Sequence, residues 1–278
     1  VLGIGRAEPV ALLDNRPLRQ LLARELDFSG IAAAVRMRRL RAVAVTAFGY
    51  ESAQAVTFYQ GRAAIDPWFR HRRVGVPTRL NLEHLLASAA IPLVFPPVKV
   101  NREYFGDGAL RQAAPISPAL HLGASRVLVI GVSGNTRQTG PAPRQQTGQP
   151  PSLAQIGGHM LNSTFIDNLE TDLELLERIN HMSAQLPLAS PPRGLGMRPV
   201  DVLTIAPSKP LDEIAARHIA ELPKALRLFL RGPGATRRGG GGVLSYLLFE
   251  PGYCNELIEL GYQDAMAQQD ELRTFLKL

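Results

Sequence analysis

Between Pro17 and Leu26 the chain reads PLRQLLAREL, with apolar and charged positions mixed at helical spacing. Asp14 or Asn15 is placed to cap that helix, and Pro17 suits its first turn. A second helix is expected from Phe28 to about Leu40. The pattern then changes. RAVAVTAF and QAVTFYQ, separated by GYES, read as the two strands of a hairpin. NLEHLLASAA (Asn81–Ala90) is helical until Pro92 stops it, and Pro96 and Pro97 force an extended segment. ISPALHLGA (Ile116–Ala124) is a short helix with Gly123 near its end. RVLVIGV (Arg126–Val132) is an almost unbroken apolar run, the pattern of a strand covered on both faces.

From Gly134 to Ser152 the residues turn to Gly, Pro, Gln, Thr and Arg, which reads as a loop or disordered insert. A long amphipathic helix is expected next, with Ile156, Met160, Leu169, Leu173, Leu176 and Ile179 on one side. VDVLTIAP (Val200–Pro207) is a second buried strand, and Leu211 to Leu230 is helical with Pro223 kinking or splitting it. TRRGGGG (Thr236–Gly242) is a flexible link, and Glu256 to Leu276 makes a final helix. Strands alternate with helices, so the class is α/β. The expected division is 1–134, a flexible loop at 135–152, and a mainly helical extension with one strand at 153–278.

Composition narrows the classes. Apolar residues make up 45% of the 278 and charged ones 20%, which excludes global disorder. The single cysteine, Cys254, excludes an intramolecular disulfide framework. No apolar run approaches the ~18–20 residues of a membrane span, and no signal-peptide pattern is read. A cytoplasmic protein is therefore expected. The net charge is +7, and the basic residues gather in VRMRRLR and FRHRRVG. The plain reading is a solvated arginine face. The next is attraction of Arg36, Arg38, Arg39, Arg41, Arg70, Arg72 and Arg73 to an anionic membrane, peripheral at its inner face. Nucleic acid ranks last, because no recognition signature accompanies the arginines.

Candidate chemistry is sparse. The six histidines show no H-E-x-x-H and no clustered carboxylates, so no metal is expected. No G-x-G-x-x-G links a strand to a helix, and no G-K-[ST] follows the glycine run. No G-x-S-x-G nucleophile elbow occurs either. Ser133 in GVSG comes nearest, Ser88 reads as a small packing residue, and Ser29, Ser117 and Ser125 read as turn or cap residues. There remains Asp107, in YFGDGA. An isolated D-G is ordinarily a turn. Here the flanks are apolar, and Gly106 and Gly108 let the backbone approach another element closely. Asp107 should be partly desolvated, which raises a carboxylate toward the range useful to a base.

The order ASAAIPLVFPP, DGA, APISPALHLGA, RVLVIGV resembles the second half of a patatin-like phospholipase domain. LLDNRPLRQLL and AVTFYQG resemble what precedes that block, so the likeness covers about Leu12 to Gly131. The remainder resembles the C-terminal extensions of bacterial members only loosely. The resemblance implies a mostly parallel central sheet flanked by helices. It also implies a lipid or fatty-acyl ester substrate and a Ser–Asp dyad without cofactor, calcium being left open. Asp107 matches the dyad aspartate, with Gly106, Gly108 and Ala109 completing its motif. The family's serine and oxyanion loop precede the region matching Val1–Leu22. The expectation is accordingly a domain truncated at its N-terminus, carrying the aspartate but not the nucleophile, and inactive alone. The alternatives are a non-catalytic scaffold of the same family or a peripheral membrane-binding protein.

Overall fold

The computed structural model describes residues 11–112, 114–132, 156–157, 163, 167–185, 199–231 and 244–278. Ser133, the expected loop at 135–152, Met160 and the TRRGGGG link lie outside the described residues. The chain divides into two compact units. One is Val1–Ser125 with Asn168–Met182, the other Arg126–Asp167 with Ser183–Leu278.

The first unit opens with α1 (Arg16–Glu25) and α2 (Ser29–Arg36). Asn15 holds the cap position of α1 without a side-chain bond, and Asp14 Oδ1 accepts the Arg16 N–H instead at 3.0 Å. α2 is shorter than its sequence suggests. Arg38 adopts φ of 62° and turns the chain out of the helix. The expected hairpin follows as β1 (Ala42–Gly49) and β2 (Gln54–Gly61), in register from Ala42–Gly61 to Gly49–Gln54. Next come β3 (Trp68–Arg70), β4 (Arg73–Pro77), α3 (Leu82–Ser88), β5 (Val98–Val100) and β6 (Glu103–Asp107). The six strands form one sheet in the order β3-β4-β2-β1-β6-β5.

That sheet is mixed, which corrects the expectation of a mostly parallel one. β2–β4 is its one parallel pairing among the described residues, and the other pairs run antiparallel. The connections decide this. His71–Arg72 join β3 to β4, and Asn101–Arg102 join β5 to β6. Tight turns of this kind make antiparallel neighbours, whereas parallel ones need a long crossover. β2 and β4 have a longer connection, residues 62–72, with β3 within it, and β1 and β6, far apart in the chain, meet antiparallel.

Alternate residues of β2 serve two cores. Val56 and Phe58 pack with Ala47, Leu86, Ala87, Val98 and Phe105, and Leu18, Leu22 and Ile31 of α1 and α2 lie against them. Tyr59 points the other way, stacked on Trp68 at 5.3 Å, and Trp68 stacks on His121 at 4.8 Å. α3 is fixed by a capping box. Asn81 Oδ1 accepts the Glu83 and His84 N–H groups at 3.1 and 3.4 Å, and the His84 ring accepts the Asn81 N–H at 3.2 Å. His84 is buried against Phe58, and burial holds its pKa below the ordinary histidine range. A two-pronged Arg19–Glu83 ion pair ties α1 to α3.

In the second unit β7 (Arg126–Ile130) and β8 (Asp201–Ile205) pair in parallel. Pro223 splits the expected helix into Leu211–Arg217 and Lys224–Arg231. Pro251 starts the last helical region earlier than expected, as Pro251–Ala267 followed by Gln269–Leu276. β7 is not covered on both faces. Val129 is buried, but Ile130 is 75% exposed. An apolar run fits a doubly covered strand and a singly covered one equally, so periodicity alone does not separate them. Among the described residues no helix is long and apolar enough to cross a membrane.

Asn81 satisfies two otherwise unpaired N–H groups at the start of α3. Asn81→Ala should therefore destabilise the protein by about 1 kcal/mol. A denaturant melt with an unchanged midpoint would show that α3 is held by packing alone.

Candidate active site

Asp107 is the last residue of β6 and stands opposite Ala47 of β1. Two residues earlier, Phe105 anchors the strand in the core, edge-on to Phe58 at 5.3 Å. The Asp107 N–H donates to the Ala90 carbonyl at 2.9 Å. The small residues of LASAA thus have a structural use. Ala87 and Ala90 are buried, and they let the end of α3 lie close to β6. The strand holding Asp107 was missed in the sequence, where only an extended segment after Pro97 was expected. Glu103, Gly106 and Asp107 leave it only Tyr104 and Phe105 as large apolar residues, and it pairs through only three residues on each side.

The flanking glycines are required by space. A Cβ on Gly106 would lie 2.5 Å from Tyr50 Oη, and one on Gly108 would lie 2.3 Å from the Thr46 carbonyl oxygen. The first collision is with the end of a side chain, but the second is with backbone. After Asp107 the chain makes one 3-10 turn, Gly108–Leu110, and Asp107 Oδ1 accepts the Ala109 N–H at 2.9 Å. Burial pushes the Asp107 carboxyl up to about 6, against the opposing pull of that N–H. Burial also raises Tyr50, and the negative charge of Asp107 adds to the effect.

Asp107 opens on a groove of about 560 Å³. Leu85 and Ser88 of α3 form one wall, and Pro118, Ala119 and Leu122, from α4 (Ser117–His121) and just beyond it, form the other. α4 is held at its entry by Asp172, in the helix Asp167–Gln185, which accepts the Ile116 N–H at 2.9 Å. The floor is Ala44–Thr46 of β1. β1 pairs with β2 along its whole length but with β6 only over Ala47–Gly49. Beyond Asp107, its other edge has no strand partner among the described residues.

The serines separate. Ser29 opens α2, where its N–H and hydroxyl both reach Asp27, and Ser117 opens α4. Ser125 precedes β7. Ser88 shares the groove with Asp107, which its sequence context did not reveal, although no hydrogen bond joins the two. Of the arginines, Arg36 and Arg38 line one hollow with Arg62, and Arg41 and Arg70 line another with His121. Arg39 and Arg72 are exposed, and Arg73 is half-buried at the start of β4. No group of three or more potential metal ligands occurs among the described residues.

Residues 3–120 match the family model of the patatin-like phospholipases. The match takes in the whole first sheet and ends inside α4, so Asp107 and all of its groove's walls except Leu122 fall within it. It meets the resemblance read from Leu12 onward as far as residue 120. No curated protein and no solved structure matches the chain significantly. The patatin-like match supports a coarse assignment, a hydrolase acting on lipids.

A raised carboxyl carries a stability consequence. The native state binds the Asp107 proton more tightly than the unfolded chain does. Its contribution is fully present below the ordinary aspartate value of 3.8 and is lost as pH rises through about 6. Asp107→Asn removes that penalty and keeps an oxygen for the Ala109 N–H. The variant should be more stable than the wild type at pH 8 by about 1–2 kcal/mol, allowing for partial exposure. The difference should shrink to nothing near pH 4. A gap that stays constant across that range would place the titration elsewhere.

Proposed function

We propose that the protein is a serine acyl ester hydrolase acting on lipids, with Asp107 as the proton acceptor of a Ser–Asp dyad. The observation that carries this reading is a half-buried carboxylate with its pKa raised to about 6, facing a groove within the patatin-like segment. A base with that pKa is ionised at neutral pH yet basic enough to take a proton in a transition state.

The chemistry follows from that role. A serine oxygen adds to the ester carbonyl while Asp107 takes the hydroxyl proton. The tetrahedral adduct collapses, and the departing alkoxide takes the proton back from Asp107. Water then adds to the acyl-serine, giving a proton to the same carboxylate. The fatty acid leaves and serine recovers its proton. The Ala109 N–H holds one carboxylate oxygen in place and leaves the other free for the hydroxyl. The mostly apolar walls of the groove suit an acyl chain.

The serine implied by the resemblance lies in a G-x-S-x-G segment. A strand carrying it would find the edge of β1 at Ala42–Thr46, one position beyond the Asp107 pairing. It would lie between α3 on one face and α4 on the other, with backbone groups ready to pair. Ser88 offers a second reading, because it already lines the groove.

In the full-length protein, Asp107→Asn should lower kcat/KM for a short-chain nitrophenyl ester by ~10²–10⁴-fold. Wild-type activity should rise with pH through about 6 as the carboxyl ionises. Retention of more than half the activity in Asp107→Asn would remove it from the mechanism. Ser88→Ala should retain most activity, and a loss as deep as that of Asp107→Asn would make Ser88 the nucleophile.

A further inference from the structure

Helix α2 ends on Arg38, whose φ of 62° is the left-handed conformation ordinarily left to glycine at a helix C-terminus. Any residue with a Cβ is disfavoured there. An outlier of this kind is a place to look for a use of the side chain. Arg38 lines a hollow of about 420 Å³ together with Arg36 and Arg62. No carboxylate lies in its wall. Arg62 Nη2 donates to the Arg38 carbonyl at 3.4 Å, and Arg62 Nε is buried with no hydrogen-bond partner among the described residues.

Arg41 joins this hollow to a second. Its carbonyl accepts the Arg62 N–H at 3.1 Å, and its side chain lines a hollow of about 530 Å³ with Phe69, Arg70 and His121. Asp66 is the one carboxylate in that wall. Among the described residues none of these five arginines forms an ion pair. Large apolar side chains next to them in the chain are exposed, Met37 before Arg38, Leu40 before Arg41 and Phe69 before Arg70.

We infer that this face docks on an anionic phospholipid surface, the Arg36–Arg38–Arg62 hollow receiving a lipid phosphate while Met37, Leu40 and Phe69 enter the headgroup boundary. Guanidinium groups without a carboxylate partner match phosphate oxygens in geometry and charge. Exposed apolar side chains set among arginines fit the boundary between headgroups and acyl chains. A free anion would not use them. The inference rests on this face and not on the role of Asp107.

The test is co-sedimentation of the full-length protein with phosphatidylcholine vesicles, with and without phosphatidylserine. Binding should favour the anionic vesicles and weaken as salt rises. Arg38→Gly and Arg62→Gln should each reduce it about fivefold. Arg38→Gly also relieves the backbone, so its melting temperature should be equal or higher, and loss of binding there is not loss of fold. Phe69→Ser should reduce the binding that persists at high salt. Asp107→Asn should bind vesicles like the wild type, which separates this inference from the hydrolase reading. Equal binding to both vesicle types, or full binding by Arg38→Gly, overturns it. Thermal stabilisation by inorganic phosphate without vesicle binding would assign the hollow to a free anion instead. A salt-sensitive shift of duplex DNA without vesicle binding would assign the face to nucleic acid.

Discussion

The crossing of β6 over β1 at Gly106–Gly108 is the contact on which the candidate site depends. At Gly108 a single added carbon would meet the Thr46 carbonyl at 2.3 Å, and backbone does not move aside as a long side chain does. The closeness fixes several things together. It seats Asp107 opposite Ala47, and it lets the Asp107 N–H reach the end of α3 at Ala90. It also turns the chain through Gly108–Leu110 so that Ala109 donates to the carboxylate. β6 then leaves the sheet after three paired residues, and the groove begins where the pairing stops. Moving the crossing by one residue would send the carboxylate to the opposite face of the sheet.

The environment of Asp107 is a balance of two opposing influences. Burial raises its pKa, and one N–H from Ala109 lowers it. Two or three such donors would hold a carboxylate well below its ordinary value and leave it too weak a base. One donor gives orientation while most of the desolvation effect survives. Asp172 shows the same pair of influences, raised by burial and opposed by the Ile116 N–H, yet its oxygen is committed to the entry of α4. Perturbation alone therefore does not mark a site. The groove in front of Asp107 makes the difference.

Legibility in the sequence followed local signals. The β1–β2 hairpin, the α3 helix with its Asn81 start and Pro92 stop, and the split at Pro223 were all written in short stretches. So was the place of Asp107 between close-packed glycines. The mixed character of the sheet was not, because FRHRRVG reads first as a charge cluster and only second as β3, a turn and β4. Its arginines hide two short strands, β3 beginning at the buried Trp68 and β4 carrying the buried Val74. Arg38 was legible as charge but not as a left-handed helix stop, since arginine is seldom placed there. The groove itself joins α3, β1 and α4, segments far apart in the chain, and no local pattern announces that meeting.

Charge placement links the basic face to the carboxylate. With an excess of +7, a buried acid would be expected to find a cation, and a guanidinium within ~4–6 Å would draw its pKa down by one to three units. Among the described residues no cation contributes to the environment of Asp107. β1 supplies the separation. Arg41 stands just before its first residue and Asp107 opposite Ala47. Six residues of extended chain span roughly 20 Å, about two screening lengths at physiological salt. The strand that floors the groove is thus long enough to hold a strongly basic surface at one end and a desolvated carboxylate near the other. A shorter β1 would bring the arginines close enough to ionise Asp107 more firmly and weaken it as a base.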